Sequence, residues 1–281
     1  MLNKTTRWVL ALVAVLTLAV PAISPVPDAA PAQTVAVEDR YGVRVNGVPM
    51  TQSPMVTHVE GTTYVSLRTM AVSLTPGASL AWDGRTATVT APGVLDLTAT
   101  PGESYIVANG RCLYVPHKVQ ARNGAVLLPL DVVCKALDAT YVWQPDGSLD
   151  LTAGTGGILS GEQFYNADDL YWLSHIIHAE SGNQPLAGKM AVGNVVLNRV
   201  ADPVFPNSIY AVVFQKNQFT PARSGSIHRA PSAESILAAK LCLDGGEALD
   251  NVLWFNRAGL NSWASRNRTY VTTIAGHAFY A

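Results

Sequence analysis

Between Tyr41 and Thr152 the chain repeats itself with an offset of about 63 residues, and two copies of one unit must bury equivalent faces in equivalent ways. Val45-Asn46-Gly47 matches Ala108-Asn109-Gly110, Tyr64-Val65-Ser66-Leu67 matches Leu127-Leu128-Pro129-Leu130, and Leu74 matches Leu137. Trp82-Asp83-Gly84 is matched more loosely by Trp143 followed by Asp146-Gly147. Alternating runs such as Val43 to Val48 and Thr86 to Thr90 predict strands, and Leu67 to Leu74 and Leu130 to Leu137 predict one short helix per copy.

This β-rich unit resembles the copper amine oxidase N-terminal-like domain, and the resemblance covers both copies, residues 41–152. It brings no copper site. His58 and His117 fall at unmatched places in the two copies, and no acids, histidines or nucleophiles converge in the pattern. Residues 153–162, with Gly154, Gly156 and Gly157, have the composition of a flexible linker. Residues 163–281 read as mostly helical, so the fold class expected is α+β with two domains, which 281 residues can accommodate with separate cores.

At the N-terminus, Lys4 and Arg7 precede an apolar run from Trp8 to Val20, and Ala30-Pro31-Ala32 offers a small-x-small cleavage site. Residues 1–32 are therefore expected to be a secretory signal peptide, the run being shorter than the ~20 residues that span a bilayer. The mature chain is expected outside the cytoplasm, with no stable membrane insertion. A formal net charge of −1 supplies no field to gather a polyanion, so nucleic acid is not an expected partner. Export permits disulfides. Cys112 and Cys134 would close a loop stabilising by about 3 kcal/mol if bridged, leaving Cys242 unpaired; three buried thiols are the alternative.

The chemistry concentrates after residue 163. Asn166 or Asp168 can cap a helix running to Glu180, on which Leu170, Leu173, Ile176 and Ile177 form an apolar stripe. Glu180 falls within that stripe. A carboxylate on a core-facing stripe at a helix C-terminus loses hydration and meets the negative end of the helix dipole, so both effects favour its protonated form, as a general acid requires. His175 and His178 have an i, i+3 spacing suited to a metal, but the helical wheel places them with Tyr171 and Ser174 away from Glu180, and no HExxH pattern occurs. No metal or other cofactor is expected. A second helix is predicted from Leu186 to Val200, with Gly193 allowing close packing and Asn194 and Asn198 either held in structural hydrogen bonds or facing a cleft. A third is predicted from Ser232 to Leu243.

The run from His178 to Val200, HAESGNQPLAGKMAVGNVVLNRV, resembles the catalytic domain of the spore-cortex-lytic and cell-wall hydrolase family of SleB/CwlJ type. The likeness continues through Phe205-Pro206-Asn207-Ser208-Ile209, Gln218-Phe219, Trp254-Phe255-Asn256 and Ile274 to Phe279. It implies a lysozyme-like domain, a peptidoglycan glycan-strand substrate cut between N-acetylmuramic acid and N-acetylglucosamine, Glu180 as the catalytic acid and base, and a 1,6-anhydromuramic product. Trp254-Phe255-Asn256 departs from the family, in which tyrosine is common there.

A glycosidase with two catalytic acids sets its carboxyls about 5 to 9 Å apart. Between Ser181 and Ala233 the only acid is Asp202, although Glu234, Asp244, Glu247 and Asp250 lie further on. Sugars need flat apolar platforms and polar edges. Phe219, Trp254, Phe255 and Tyr270 are candidate platforms, with Asn183, Gln218 and Asn256 as candidate amides. A muramidase using water and a non-catalytic envelope-binding protein are the alternatives.

Overall fold

The structure, a computed structural model, describes residues 42–281, so the expected signal peptide lies outside the described residues. The strand-rich region runs β1 (Val43–Val45), β2 (Val48–Pro49), β3 (Thr57–Val59), β4 (Thr62–Ser66), α1 (Leu67–Leu74), β5 (Ser79–Trp82), β6 (Ala87–Ala91) and β7 (Leu95–Ala99). It continues with β8 (Tyr105–Ala108), β9 (Arg111–Tyr114), β10 (Gln120–Arg122), β11 (Ala125–Pro129), α2 (Leu130–Ala136), β12 (Ala139–Trp143) and β13 (Leu149–Ala153). The helical region comprises α3 (Gly161–Phe164), α4 (Ala167–Ser181), α5 (Leu186–Ala201), α6 (Ile209–Val213), α7 (Thr220–Ser224) and α8 (Ala233–Leu243). Three strands and one short helix close it: β14 (Trp254–Arg257), α9 (Trp263–Asn267), β15 (Tyr270–Ile274) and β16 (His277–Tyr280). The described chain is α+β, mostly strands first and mostly helices second.

The repeat acts as a pseudo-two-fold axis. In the sheet ordered β10-β11-β4-β3, β4 and β11 pair antiparallel with Val65 opposite Leu128, which are equivalent positions in the two copies. The other two sheets of this region each take strands from both copies, in the orders β5-β6-β7-β8-β9 and β12-β13-β1-β2. Asn46-Gly47 and Asn109-Gly110 make matching tight turns in which both residues have positive φ, a conformation that asparagine tolerates and glycine adopts freely. On α1 the buried side is Leu67, Met70, Ala71 and Leu74, the spacing of a single helix face. It packs with Val65, Val89, Leu97, Leu128 and Leu149 in one core.

Residues 153–162, expected to be flexible, are pinned along their length. Thr75 donates its hydroxyl to the Gly156 carbonyl at 2.6 Å, and Asn109 donates from Nδ2 to the Ile158 carbonyl at 2.7 Å. A Cβ at Gly157 would lie 2.3 Å from the Val94 carbonyl oxygen, so these glycines serve close backbone approach rather than freedom.

In the helical region α4, α5 and α8 pack mutually around a second core. Gly193 on α5 is the point of contact: a Cβ there would lie 2.8 Å from Cys242 Sγ and 2.9 Å from Ile177 Cδ1. Asn194 donates to the Gly246 carbonyl and accepts from the Ala248 amide, and Asn198 donates to the Val252 carbonyl, so both amides hold the loop after α8. The three thiols are free and buried. Cys134 lies in the first core and Cys112 and Cys242 in the second, so the bridge considered for Cys112 and Cys134 is not made. Burial pushes the Cys134 thiol up to about 12.

The two regions meet on a buried carboxylate. Asp244, just after α8, accepts from Arg111 Nη2 at 2.5 Å and Nε at 3.1 Å, and from the Tyr165 hydroxyl at 2.9 Å. Lys135 Nζ lies 3.1 Å from the same side chain, and the Phe164 ring covers the Arg111 guanidinium at 3.4 Å. Tyr105, Val107 and Tyr114 extend the contact by packing against the second core. Replacing Asp244 by alanine leaves a guanidinium buried without its counter-charge, so Asp244→Ala is expected to destabilise the chain by about 3 to 5 kcal/mol. Urea unfolding of the 42–281 chain measures this; a loss below 1 kcal/mol would contradict the role given to the ion pair.

Candidate active site

Helix α4 begins where Asn166 Oδ1 accepts from the Asp168 and Asp169 amides, both at 3.0 Å. The helix is buried on more sides than one stripe requires, because α5, α6, α7 and α8 all pack on it. Leu173, Ile176 and Ile177 are fully buried, and the same side carries Glu180 into the last turn. Glu180 is half-buried, with no hydrogen bond or ion pair to its carboxyl among the described residues. Burial raises its pKa, and no neighbouring charge contributes to the shift.

The corner after Glu180 is tightly tied. Ser181 is buried and returns its hydroxyl to the Ile177 carbonyl at 2.7 Å. Gln184 accepts from the Gly276 amide at 2.9 Å, which fixes the β15–β16 turn beside the start of α5. The Gln184 carbonyl accepts from the buried Lys189 Nζ, which also contacts Glu234 at 2.5 Å. Asn183 is exposed, its Oδ1 accepting from Gln184 Nε2 at 3.2 Å.

On α4, His175 is buried: its Nδ1 lies 2.6 Å from the Ile227 carbonyl, and its ring stacks on Tyr171 at 4.1 Å. His178 Nδ1 accepts from the Ser232 amide at 3.3 Å. Both histidines find partners because α4 is surrounded rather than laid on one surface. Among the described residues no group of three His, Cys, Asp or Glu side chains is placed to hold a metal.

The remaining candidates fall on two surfaces, because the C-terminal sheet has the order β14-β16-β15 and strand neighbours alternate faces. Phe255 faces the helical core with Phe279 at 5.9 Å, His277 at 5.3 Å and Phe219 at 6.3 Å. Trp254 is on the opposite face, against Trp263 at 6.3 Å and beneath the Arg268 guanidinium at 3.8 Å. Asn256 has both amide functions engaged, Oδ1 by Ser262 and Nδ2 by the Arg257 carbonyl. Tyr270 is exposed and bonds Thr273 across its hydroxyl at 3.0 Å. Gln218 is exposed, whereas Phe219 is buried and lines a cleft of ≈ 490 Å³ formed by residues of the 214–223 segment; Glu180 is not among its lining residues.

Two residues that sequence reasoning left without a role stand out. Arg199 is buried, bonds the Leu253 carbonyl at 2.8 Å from Nε, and lies between Phe205 and Phe219, with burial lowering its pKa to about 10. His277 has a buried Nδ1 with no partner, and burial lowers its pKa, favouring the neutral ring. Both lie within the stretches that resemble the hydrolase family, but no local pattern gave their environment, which depends on how β14 and β16 dock on α5.

Residues 183–280 match the cell wall hydrolase family profile, and residues 44–148 match that of the copper amine oxidase N-terminal domain. The C-terminal region is a SleB-type cell wall hydrolase domain. A spore cortex-lytic enzyme of Bacillus cereus is 29% identical over 116 residues, covering 41% of this chain and 45% of that protein. The Bacillus subtilis spore cortex-lytic enzyme is 28% identical over 116 residues, covering 41% of this chain and 38% of that one. The solved catalytic domain of the germination-specific lytic transglycosylase SleB from Bacillus anthracis is 27% identical, covering 42% of this chain and 97% of that chain, with a TM-score of 0.39. The chain thus spans under half the length of the curated relatives named here. Glu180 lies three residues before the matched stretch of the hydrolase domain.

The environment of Glu180 has a consequence for stability. Its folded pKa is raised, so the folded hydrolase domain holds this proton more tightly than the unfolded chain does. Stability is then lost as pH rises from the ordinary glutamate range through the raised folded value. Glu180→Gln removes the charge and keeps the shape, so the variant is expected to melt above the wild-type chain at pH 7. The gap should close below the ordinary glutamate pKa. A wild-type chain more stable than the variant at pH 7 would place Glu180 in a charge-stabilising site instead.

Proposed function

We propose that this chain is an extracytoplasmic lytic transglycosylase that cuts peptidoglycan glycan strands between N-acetylmuramic acid and N-acetylglucosamine. The observation that carries the proposal is Glu180, a single carboxyl in a desolvated helix end with no acidic partner contributing to its shift. The hydrolase family match and the names of the relatives support the wall as the substrate.

In the proposed reaction protonated Glu180 donates to the N-acetylglucosamine O4 as the C1–O4 bond breaks, leaving positive charge at the muramyl C1. The Glu180 carboxylate then takes the proton of the muramyl C6 hydroxyl while O6 bonds to C1. Proton and charge return to their starting state, and the products are a free 4-hydroxyl and a 1,6-anhydro end.

Three other acids of the region make structural contacts. Asp244 is clamped by Arg111, Glu234 is paired with Lys189, and Asp202 accepts from the Val204 amide at 2.8 Å. An internal hydroxyl needs no second carboxylate to bring and aim a water, which favours ring closure over the muramidase alternative.

Glu180→Gln is expected to reduce release of muropeptides from purified sacculi by at least about a hundredfold, the lower range for loss of a positioned acid and base. Mass spectrometry of the wild-type products should find 1,6-anhydromuramic ends. Digestion in ¹⁸O-labelled water that labels new reducing ends and yields no anhydro product would replace this reaction with hydrolysis. No released fragment at all from the wild-type chain would overturn the enzymatic reading.

A further inference from the structure

We propose that the strand-rich region carries a second binding site for the wall polymer, a groove of ≈ 510 Å³ that holds a peptidoglycan segment through the Trp82 ring and the Arg68 and Arg122 guanidiniums. The inference rests on the substrate class proposed above.

The groove lies among three elements. Leu80 and Trp82 come from β5, the edge strand of the five-stranded sheet; the hairpin of β10 and β11 contributes Arg122 and Val126; and the first turn of α1 contributes Arg68 and Thr69. Leu80 and Val126 are packed against the first core and form its apolar part. Trp82 is 50% exposed, and its ring has no aromatic or cationic partner among the described residues. Arg68 and Arg122 likewise make no ion pair or side-chain hydrogen bond with described residues, and no acidic side chain lines the groove.

Comparison of the two copies separates fold from groove. The helix positions Leu67 and Leu74 keep leucine in the second copy, at Leu130 and Leu137. The position equivalent to Arg68 is Asp131 and that equivalent to Arg122 is Val59, so the fold common to both copies does not need the two arginines. They instead give one corner of a nearly neutral chain a local positive charge.

A flat indole beside two free guanidiniums fits a sugar chain that carries carboxylates. The indole stacks on a sugar face, and the planar forks pair with lactyl or peptide carboxyl groups. Peptidoglycan supplies both at regular intervals. Nucleic acid fits less well, because two arginines on a chain of net charge −1 neutralise too few phosphates to hold it. The buried Asp244 junction holds the groove in a fixed relation to the hydrolase domain, so a strand bound in it would keep the enzyme on the wall between cuts.

The test uses the full chain carrying Glu180→Gln, so that sacculi stay intact, and measures co-sedimentation with purified sacculi stripped of secondary polymers. Adding Trp82→Ala is expected to weaken binding by about tenfold, with Trp82→Phe recovering most of it. Arg68→Gln with Arg122→Gln is expected to weaken binding similarly and to flatten its salt dependence. Neutral N-acetylglucosamine oligomers should compete poorly. Unchanged binding in variants that retain the parent's circular dichroism and melting would overturn the groove. Binding that disappears when secondary polymers are stripped would also overturn it, by locating the affinity in their phosphates. Sedimentation needs no bond cleavage, so a chain that binds through Trp82 but releases no fragment would sink the proposed reaction and leave the groove standing.

Discussion

The structure is held in one piece by a carboxylate that cannot reach water. Asp244 ends α8, yet its partners come from elsewhere: Arg111 from β9, Lys135 from α2 and Tyr165 from the turn after α3. While the regions stay together, removing either partner would leave the other charge buried and uncompensated, a much larger penalty than breaking an exposed pair. The neighbouring contact is also apolar, with Cys112 counted among the side chains of the helical core. A repeat module that could have been a loosely tethered stalk is thereby part of the surface against which α8 packs, and α8 in turn is one of the three helices that enclose α4. The environment of Glu180 therefore depends indirectly on a junction far along the chain.

Much of this could be read from the sequence. The helices at 67 and 130, the Asn166 cap and the close approach at Gly193 all followed from local rules, because each depends on neighbours within a few residues or on the size of one side chain. The likeness of residues 178–200 to the hydrolase family pointed to the right domain. What was not legible depends on pairing between distant segments. Asp244 looked like one more acid on a helix end, and nothing local marks Arg111 as its partner. The glycines of residues 153–162 read as freedom because the carbonyls that crowd them, of Asp138, Leu74, Val94 and Gly110, belong to other elements, in a region whose register no local pattern gives.

The candidate sugar platforms show the same limit more sharply. Trp254, Phe255 and Asn256 are consecutive, and a sequence reading naturally treats them as one patch. A strand sends neighbours to opposite faces, so Phe255 joins Phe219, Phe279 and His277 while Trp254 and Asn256 face Trp263, Arg268 and Ser262. The Gln184 contact to the Gly276 amide ties the β15–β16 turn to the corner following Glu180. Among the nominated residues, Phe255 and Phe219 thus share the face turned to the helical core, and the Trp254 face forms a separate surface.

The choice between an internal hydroxyl and water turns on what a single desolvated carboxyl can do. In the proposed reaction Glu180, having given its proton to the leaving oxygen, is a carboxylate in a setting that favours its neutral form, so it is primed to recover a proton as a new bond forms at C1. Water could supply that proton, but it would have to be brought into the same poorly hydrated corner and aimed at C1. The muramyl C6 hydroxyl is already attached to the ring it attacks, so its positioning has no translational cost, an advantage that can reach several kcal/mol when geometry is right. A second carboxylate placed to orient water would shift this balance, but no charged neighbour contributes to the shift at Glu180, and Glu234, Asp244 and Asp202 are committed to Lys189, to Arg111 and to a backbone amide. Burial of one glutamate without an acidic partner thus favours, for the proposed reaction, ring closure onto C1 rather than hydrolysis.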